Sequence, residues 1–436
     1  MKNIMIPVGY TADRKKADAI GFVGTPDNAL PDFTPTLCHY SGDAPLIVFG
    51  KTGAGKGRRL LIPTILDAPA DAQIICVDVK GEAAQVTAAH RRKSGDVNII
   101  DPWGVVASES ASLNPLVFVA DPKTTAVATD NARMVAEAII PDDALLSRDP
   151  FWTNSARNVV QLAMLLLAAH APDEHKNLGV LADLVGSGTG PTLEKLLAAG
   201  LCSPLVNLQT ESENLATLAW ATLSGVMSTA ASFLRPFSSP MVRSSLAATS
   251  IDLEGLRDGT PSTTYLVMPP KYLKSHGVVL RLWLDTLVKV VLSRTTAPNT
   301  KTLLLIDELP QIGPLESIAQ ASFLLRGYGV QTALFLQDLH QLKRLFPDDW
   351  LAYIRNAGAV LCLSGGAALH DAVEHVVGVR AAVNIPELKA GHAVFIENEM
   401  IEVLKTLDYL TDERYAGLAG QNRFYAGAPE NGQVTR

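Results

Sequence analysis

The sequence predicts an α/β fold, a mostly parallel sheet flanked by helices with an all-α domain inserted into it. Three observations carry this. Short runs that are apolar on both faces recur at residues 46–49, 74–77, 97–100, 265–268, 303–306, 333–336 and 360–363, and unbroken rather than alternating apolar runs mark strands covered by helices on both sides. Three of these runs precede residue 101, and the next begins only at Tyr265. The first run leads straight into a glycine-rich turn and a helix-compatible stretch, the strand–turn–helix order of a phosphate-binding loop.

Taken in order, residues 1–43 form a polar lead-in. Met1-Lys2-Asn3-Ile4-Met5-Ile6-Pro7 lacks the apolar core of a signal peptide and turns polar at Asp13-Arg14-Lys15-Lys16. The sheet domain is expected over 44–120 and 238–436, because these stretches hold the apolar runs. The stretch between, 121–237, is rich in Ala and Leu at helical spacing, as at 151–170 and 193–199, with stops at Gly200 and Pro204. From about Pro386 a final unit carries Ala393-Val394-Phe395-Ile396 and Ile401-Glu402-Val403-Leu404 across a short turn, a predicted hairpin.

Composition bounds the function. The 436 residues are 47% hydrophobic and 19% charged, which leaves little room for long low-complexity stretches. A balance of 37 basic to 44 acidic residues, net charge -7, excludes a protein that is basic all over but leaves room for a local basic channel. Cys38, Cys76, Cys202 and Cys362 show no C-x-x-C spacing, so neither a disulfide framework nor a zinc site is expected. The most apolar run, 159–169, falls far short of the roughly 20 residues that span a bilayer. A cytoplasmic chain without a transmembrane segment is expected, any recruitment to a membrane being left to partners.

Gly50-Lys51-Thr52-Gly53-Ala54-Gly55-Lys56-Gly57-Arg58 is the candidate ATP-binding segment. Its glycines let successive backbone N–H groups point at phosphate oxygens, and the helix that follows adds a favourable partial positive charge. Lys56 is placed to reach the β- and γ-phosphates. The residue after it, usually a Ser or Thr whose hydroxyl binds Mg²⁺, is Gly57. Metal binding must then rely on water or on acidic residues elsewhere. Lys51 sits five residues before Lys56, the spacing of the extra lysine in ParA/MinD-type ATPases; an ordinary lysine at the loop's outer edge is the favoured reading.

An acidic strand end must complete such a site. Leu303-Leu304-Leu305-Ile306-Asp307-Glu308 supplies Asp307 as the carboxylate that holds Mg²⁺ through water and Glu308 as the one that polarises the attacking water. The next run ends in Gln337, whose amide is a candidate sensor of the γ-phosphate.

With these pieces in place the chain resembles the type IV secretion coupling proteins of the TraG/TraD conjugation group, relatives of FtsK and HerA among the RecA-like hexameric motors. The resemblance runs from about Ala44 to Gly417. It rests on Gly55-Lys56-Gly57 with Ile62-Pro63, Asp78-Val79-Lys80-Gly81-Glu82, Asp101-Pro102-Trp103-Gly104, Asn114-Pro115-Leu116, Phe151-Trp152, Ile306-Asp307-Glu308, Arg326-Gly327-Tyr328-Gly329 and Gln337. Glycine after the loop lysine is familiar in this group. The resemblance implies a RecA-like P-loop NTPase motor that uses ATP and Mg²⁺ to move DNA, with single-stranded DNA the expected form, together with a relaxase or relaxosome, or effector proteins, toward a secretion channel. It implies a homo-hexamer with nucleotide sites between subunits, in which Arg326 matches the arginine that reaches a neighbour's γ-phosphate. The helical insertion resembles the family's all-α domain, which meets the relaxosome or secreted substrate, and Phe151 and Trp152 are read there as core or interface anchors.

Two other functions remain in view, a nucleotide-binding substrate receptor with little hydrolysis and a ParA/MinD-type partition ATPase. The basic clusters Arg58-Arg59, Arg91-Arg92-Lys93 and Lys343-Arg344 read as solvated helix faces, or as phosphate contacts if a ring turns them to its pore.

Overall fold

The computed structural model describes residues 1–11, 35–107, 109–119, 127–141, 149–186, 190–312, 325–363, 365, 367–376, 388, 390–398 and 400–425. The chain divides into two compact units. The first comprises Met1–Val97, Gly255–Tyr265 and Leu292–Arg436, the second Asn98–Glu254 and Leu266–Val291.

The strands are β1 (Ile6–Thr11), β2 (Leu37–Tyr40), β3 (Leu46–Phe49), β4 (Gln73–Asp78), β5 (Asp96–Ile100), β6 (Ser262–Val267), β7 (Thr302–Ile306), β8 (Val330–Leu336), β9 (Ala359–Cys362), β10 (His392–Glu397) and β11 (Met400–Lys405). They join one sheet in the order β2-β1-β11-β10-β9-β3-β8-β7-β4-β6-β5, and the boundary between the units falls within β5 and β6. Strands β9, β3, β8, β7 and β4 are parallel neighbours. Every residue of β3, β4, β7, β8 and β9 is buried, which is why these strands read as unbroken apolar runs.

The parallel register decides where chemistry can sit. Phe49 pairs with Leu336, Ile306 with Leu334, and Val77 with Ile306. The carboxyl ends of β3, β8, β7 and β4 therefore lie side by side, the edge where open α/β sheets place their ligands.

Beyond β9 the sheet turns antiparallel. β9 pairs with β10, β10 with β11, β11 with β1 and β1 with β2. β10 and β11 are the predicted hairpin, with Asn398 in the left-handed region at φ 49° at its turn. The lead-in expected at the N-terminus instead contributes β1 and β2. Gln331, fully buried on β8, holds the start of the chain by accepting from Ile4 N at 3.0 Å and donating to Ile4 O at 3.1 Å.

On the first unit, the helix after β3 begins with a π-wound turn (Gly57–Leu61) and continues as α1 (Ile62–Asp67), with Pro63 in its first turn. Helix α2 (Glu82–Arg91) follows β4 and is tied to β6 by the 2.6 Å bond between the hydroxyls of Thr87 and Tyr265. Arg91, expected on a solvated basic face, is instead buried. Its guanidinium donates to the carbonyls of Ala68, Pro69 and Ala72 and to Thr263 Oγ1.

The second unit is mainly helical: α3 (Val127–Ile139), α4 (Pro150–His170), α5 (Leu178–Gly186), α6 (Gly190–Leu201), α7 (Val206–Ala216), α8 (Trp220–Leu234), α9 (Pro240–Leu246) and most of the helix Pro270–Leu292. Helix α4 opens with Asp149 accepting from Phe151 N at 3.0 Å and Pro150 at its first position, and its residues 159–169 are all buried. Phe151 and Trp152 are exposed at its start, and the Trp152 ring covers Gly225 of α8, where an added Cβ would come within 2.7 Å. Among the described residues no single helix is long and apolar enough to cross a membrane.

Candidate nucleotide-binding site

The loop after β3 is shaped by two glycines with positive φ, Gly53 at 83° and Gly55 at 84°, a backbone form that side chains resist. Gly50 N donates to Leu336 O at 3.0 Å, which anchors the loop to the neighbouring strand. Lys51, Thr52 and Gly53 are exposed on its outer edge, Ala54 and Gly55 half-buried. Lys56 is buried, and its ammonium donates to Gly50 O at 2.8 Å. No side chain caps the helix that starts at Gly57, so its first N–H groups stay available to an anion.

Asp307 and Glu308 line the same pocket as Lys56, and Gln337 adjoins Glu308. Glu308, just beyond β7, places Oε1 3.6 Å from the Lys56 ammonium. Gln337, just beyond β8, directs its amide at Glu308 Oε2, 3.5 Å away, while its own N–H donates to Gln341 Oε1 at 2.7 Å. Glu308 sits at φ 57°, an uncommon conformation for a non-glycine residue and of the kind that gathers at working sites. Asp307 is fixed by its N–H to Val77 O at 3.3 Å. Burial, then the charges of Glu308 and Asp78, push its carboxyl up to about 7.

Beside β7, Asp78 closes the end of β4. Its carboxylate accepts from Glu82 N at 3.1 Å and Ala84 N at 2.8 Å, capping α2 across Gly81, which takes φ 73°. Burial raises Asp78 to about 6 in spite of these bonds. Asp78, Lys80 and Glu82 line the same pocket as Lys56, Asp307 and Glu308.

Gly57 stands in no strained conformation, and a Cβ there would lie 3.8 Å from Glu82 Oε2. Among the described residues no group of three or more His, Cys, Asp or Glu side chains is placed to hold a metal by itself. A cation here would draw its remaining ligands from water and phosphate oxygens. A buried carboxylate such as Asp307, raised first by burial and then by its acidic neighbours, suits a water-mediated role of that kind, since a cation favours its charged form.

Arg326 is not brought to this pocket. It lies exposed in the turn Leu325–Tyr328, before β8, whereas the pocket lies after it. The seven residues of β8 put roughly 20 Å between the two ends.

The C-terminal segment supplies residues that the sequence reading did not single out. Asp408 takes both forks of the Arg58 guanidinium. Asn422 donates to Glu82 Oε1 at 2.7 Å and to the Tyr409 hydroxyl. Tyr425 lines the pocket, its ring 5.5 Å from the Arg58 guanidinium carbon. No motif marks these residues; the nearest signal was the run of aromatic and amide side chains late in the chain.

Curated relatives of the chain are named as conjugal transfer or type IV secretion system-coupling proteins. The chain is 23% identical over 332 residues to a conjugal transfer protein TraG of Escherichia coli, covering 70% of this chain and 50% of that protein. It is 25% identical over 359 residues to a TraG of Rhizobium radiobacter (79% and 54%), and 22% over 310 residues to the type IV secretion system-coupling protein VirD4 of Bartonella quintana (strain Toulouse) (70% and 48%). The chain thus spans about half the length of these relatives. Its fold is similar to that of the unbound bacterial conjugative coupling protein TrwBdeltaN70, with a TM-score of 0.60 at 16% identity over 88% of this chain and 89% of that one. It is also similar to plasmid coupling protein TrwB in complex with ADP and Mg²⁺, with a TM-score of 0.59 at 16% identity over 83% and 84%. The family described as type IV secretory system conjugative DNA transfer matches residues 2–363, and with these strand ends and this loop in place the chain belongs to that family.

Proposed function

We propose that the chain is the ATP-driven motor of a coupling protein, which delivers DNA–relaxase complexes or protein substrates to a type IV secretion channel. The observation that carries the reading is the convergence of Lys56, Asp307, Glu308 and Gln337 at the carboxyl ends of adjacent parallel strands. In it the loop 50–57 and Arg58 cradle ATP, and Lys56 carries charge to the β- and γ-phosphates. Glu308 orients and deprotonates the attacking water, while Gln337 holds Glu308 and reports the γ-phosphate. Asp307 would hold Mg²⁺ through water, and the ion would neutralise phosphate charge when bound. The ligands of TrwB, the ATP analogue ADPNP in one structure and ADP with Mg²⁺ in another, support this cofactor pair.

Because Arg326 lies away from its own pocket, we read it as a group supplied to a neighbouring subunit, which calls for a ring, a homo-hexamer in this family. DNA, in single-stranded form, is the expected polymer in the pore, with the helical second unit meeting relaxosome or effector proteins. The test is ATP turnover by the purified chain with and without single-stranded DNA, alongside its mass in solution. DNA-stimulated turnover that Lys56→Ala abolishes, with a six-fold species on adding ATP and DNA, supports the reading. A dimer that turns over ATP independently of DNA, or no loss in Lys56→Ala, refutes it.

A further inference from the structure

The last described part of the chain, from Thr406 to Tyr425, returns along the nucleotide pocket and is fastened to both of its walls. Tyr409 N donates to Arg58 O at 3.4 Å on the helix side. On the other side Gly420 N donates to Val86 O at 2.7 Å, Arg423 to Lys80 O at 2.9 Å, and Asn422 to Glu82. Within it Tyr425 is half-buried and lines the pocket.

The pocket is lined by two chemically different sets of groups. One set, Lys56 and the acidic strand ends, suits charged phosphates. The other is Tyr425, the one aromatic ring among its described lining residues, with Arg58 beside it. The charge of Arg58 is matched by Asp408, which fixes the guanidinium plane. A planar cation against an aromatic ring, held by a carboxylate, steadies that ring. A nucleoside triphosphate carries the two matching chemistries, a charged tail and a planar, apolar-faced base.

We propose that Tyr425, steadied by Arg58 and Asp408, is the platform on which the base of a bound nucleoside triphosphate stacks. The inference rests on the reading of loop 50–57 as the phosphate site. It makes the C-terminal segment part of the nucleotide site, and it makes recognition one of stacking rather than base-edge hydrogen bonding, so purine triphosphates are held alike.

Calorimetric titration of the full chain with ATP and with inorganic tripolyphosphate, which lacks a base, tests it. Tyr425→Ala should weaken ATP about tenfold and leave tripolyphosphate unchanged, while Tyr425→Phe keeps ATP within about twofold of the parent. GTP should follow ATP through both variants. If Tyr425→Ala binds ATP as the parent does, or loses ATP and tripolyphosphate equally, the platform is refuted. If the parent chain binds ATP but no tripolyphosphate at any concentration, the phosphate-loop reading itself falls and takes this inference with it.

Discussion

The ammonium of Lys56 lies 3.6 Å from Glu308 Oε1 while it donates to Gly50 O at 2.8 Å. One cation thus links the phosphate loop to the strand end that carries the candidate water-activating carboxylate. The two partners should nevertheless separate on mutation. Lys56→Ala removes the ammonium proposed to face phosphate and should lower ATP affinity, whereas Glu308→Gln keeps shape and hydrogen-bonding reach. The glutamine variant is expected to bind ATP within a few-fold of the parent and to lose about 10²- to 10⁴-fold in turnover. Calorimetry and phosphate release, run on both variants, check this; equal loss of binding in the two would contradict it.

At Gly57 the missing hydroxyl is not dictated by the backbone. A Cβ there has ordinary clearance, with Glu82 Oε2 3.8 Å away. Gly57→Ser should fold as the parent does and reach half-maximal ATP binding at a lower Mg²⁺ concentration, by up to several-fold, because the hydroxyl adds a metal-side oxygen. A Mg²⁺ titration of ATP binding reads this directly, and an unchanged midpoint would show that the position has no access to the metal.

What the sequence made legible follows from burial and strand ends. Strands β3 to β9 stood out because the parallel ones are covered on both faces, and Lys56, Asp307, Glu308 and Gln337 because each directly follows such a run or the loop it leads into. β1 did not stand out, since Pro7 and Gly9 interrupt it and a register shift falls between them. There Gly9 is required, an added Cβ meeting Lys405 O at 2.8 Å. The Arg58–Asp408 pair spans 350 positions, and Asn422 and Tyr425 reach the pocket only through the folded path of the chain, which no local spacing encodes.

Arg326 is exposed and lies at the opposite end of β8 from its own pocket. If it serves a neighbour, Arg326→Ala should leave ATP affinity unchanged and lower turnover by about 10²-fold or more. Mixing settles the direction of the contact. Lys56→Ala and Arg326→Ala chains, each inactive alone, should regain part of the turnover when combined, because mixed interfaces pair an intact loop with an intact arginine. No recovery at any mixing ratio would place Arg326 outside the neighbour's site.

Asp78 gives the first unit a pH dependence of definite sign. Its carboxyl is raised to about 6, chiefly by burial, from an unfolded value of 3.8. The folded state therefore binds the proton more tightly than the unfolded one, and this group's contribution to stability grows as pH falls through 6 toward 4. Asp78→Asn cannot titrate. Between pH 7 and pH 5 the stability of the parent relative to Asp78→Asn should rise by about 1 kcal/mol, whatever the cost of the lost cap at either pH. Unfolding of the nucleotide-free chains at the two pH values measures the difference, and a gap that stays constant or narrows would contradict the raised carboxyl.

Arg91, Arg92 and Lys93 look alike in the sequence, and the fold separates them. Arg92 and Lys93 are exposed, while Arg91 is 2% exposed and serves the carbonyls of Ala68, Pro69 and Ala72 together with Thr263. Those carbonyls belong to the turn between α1 and β4, so the guanidinium joins that turn to α2 and β6. Removing it leaves buried acceptors without donors, a cost of about 3 kcal/mol or more, whereas truncating an exposed neighbour costs within about 0.5 kcal/mol. Arg91→Ala should therefore unfold at clearly lower urea than the parent, with Arg92→Ala and Lys93→Ala indistinguishable from it. In a DNA-binding assay the order should reverse if this face meets phosphates, because only the exposed pair can reach them.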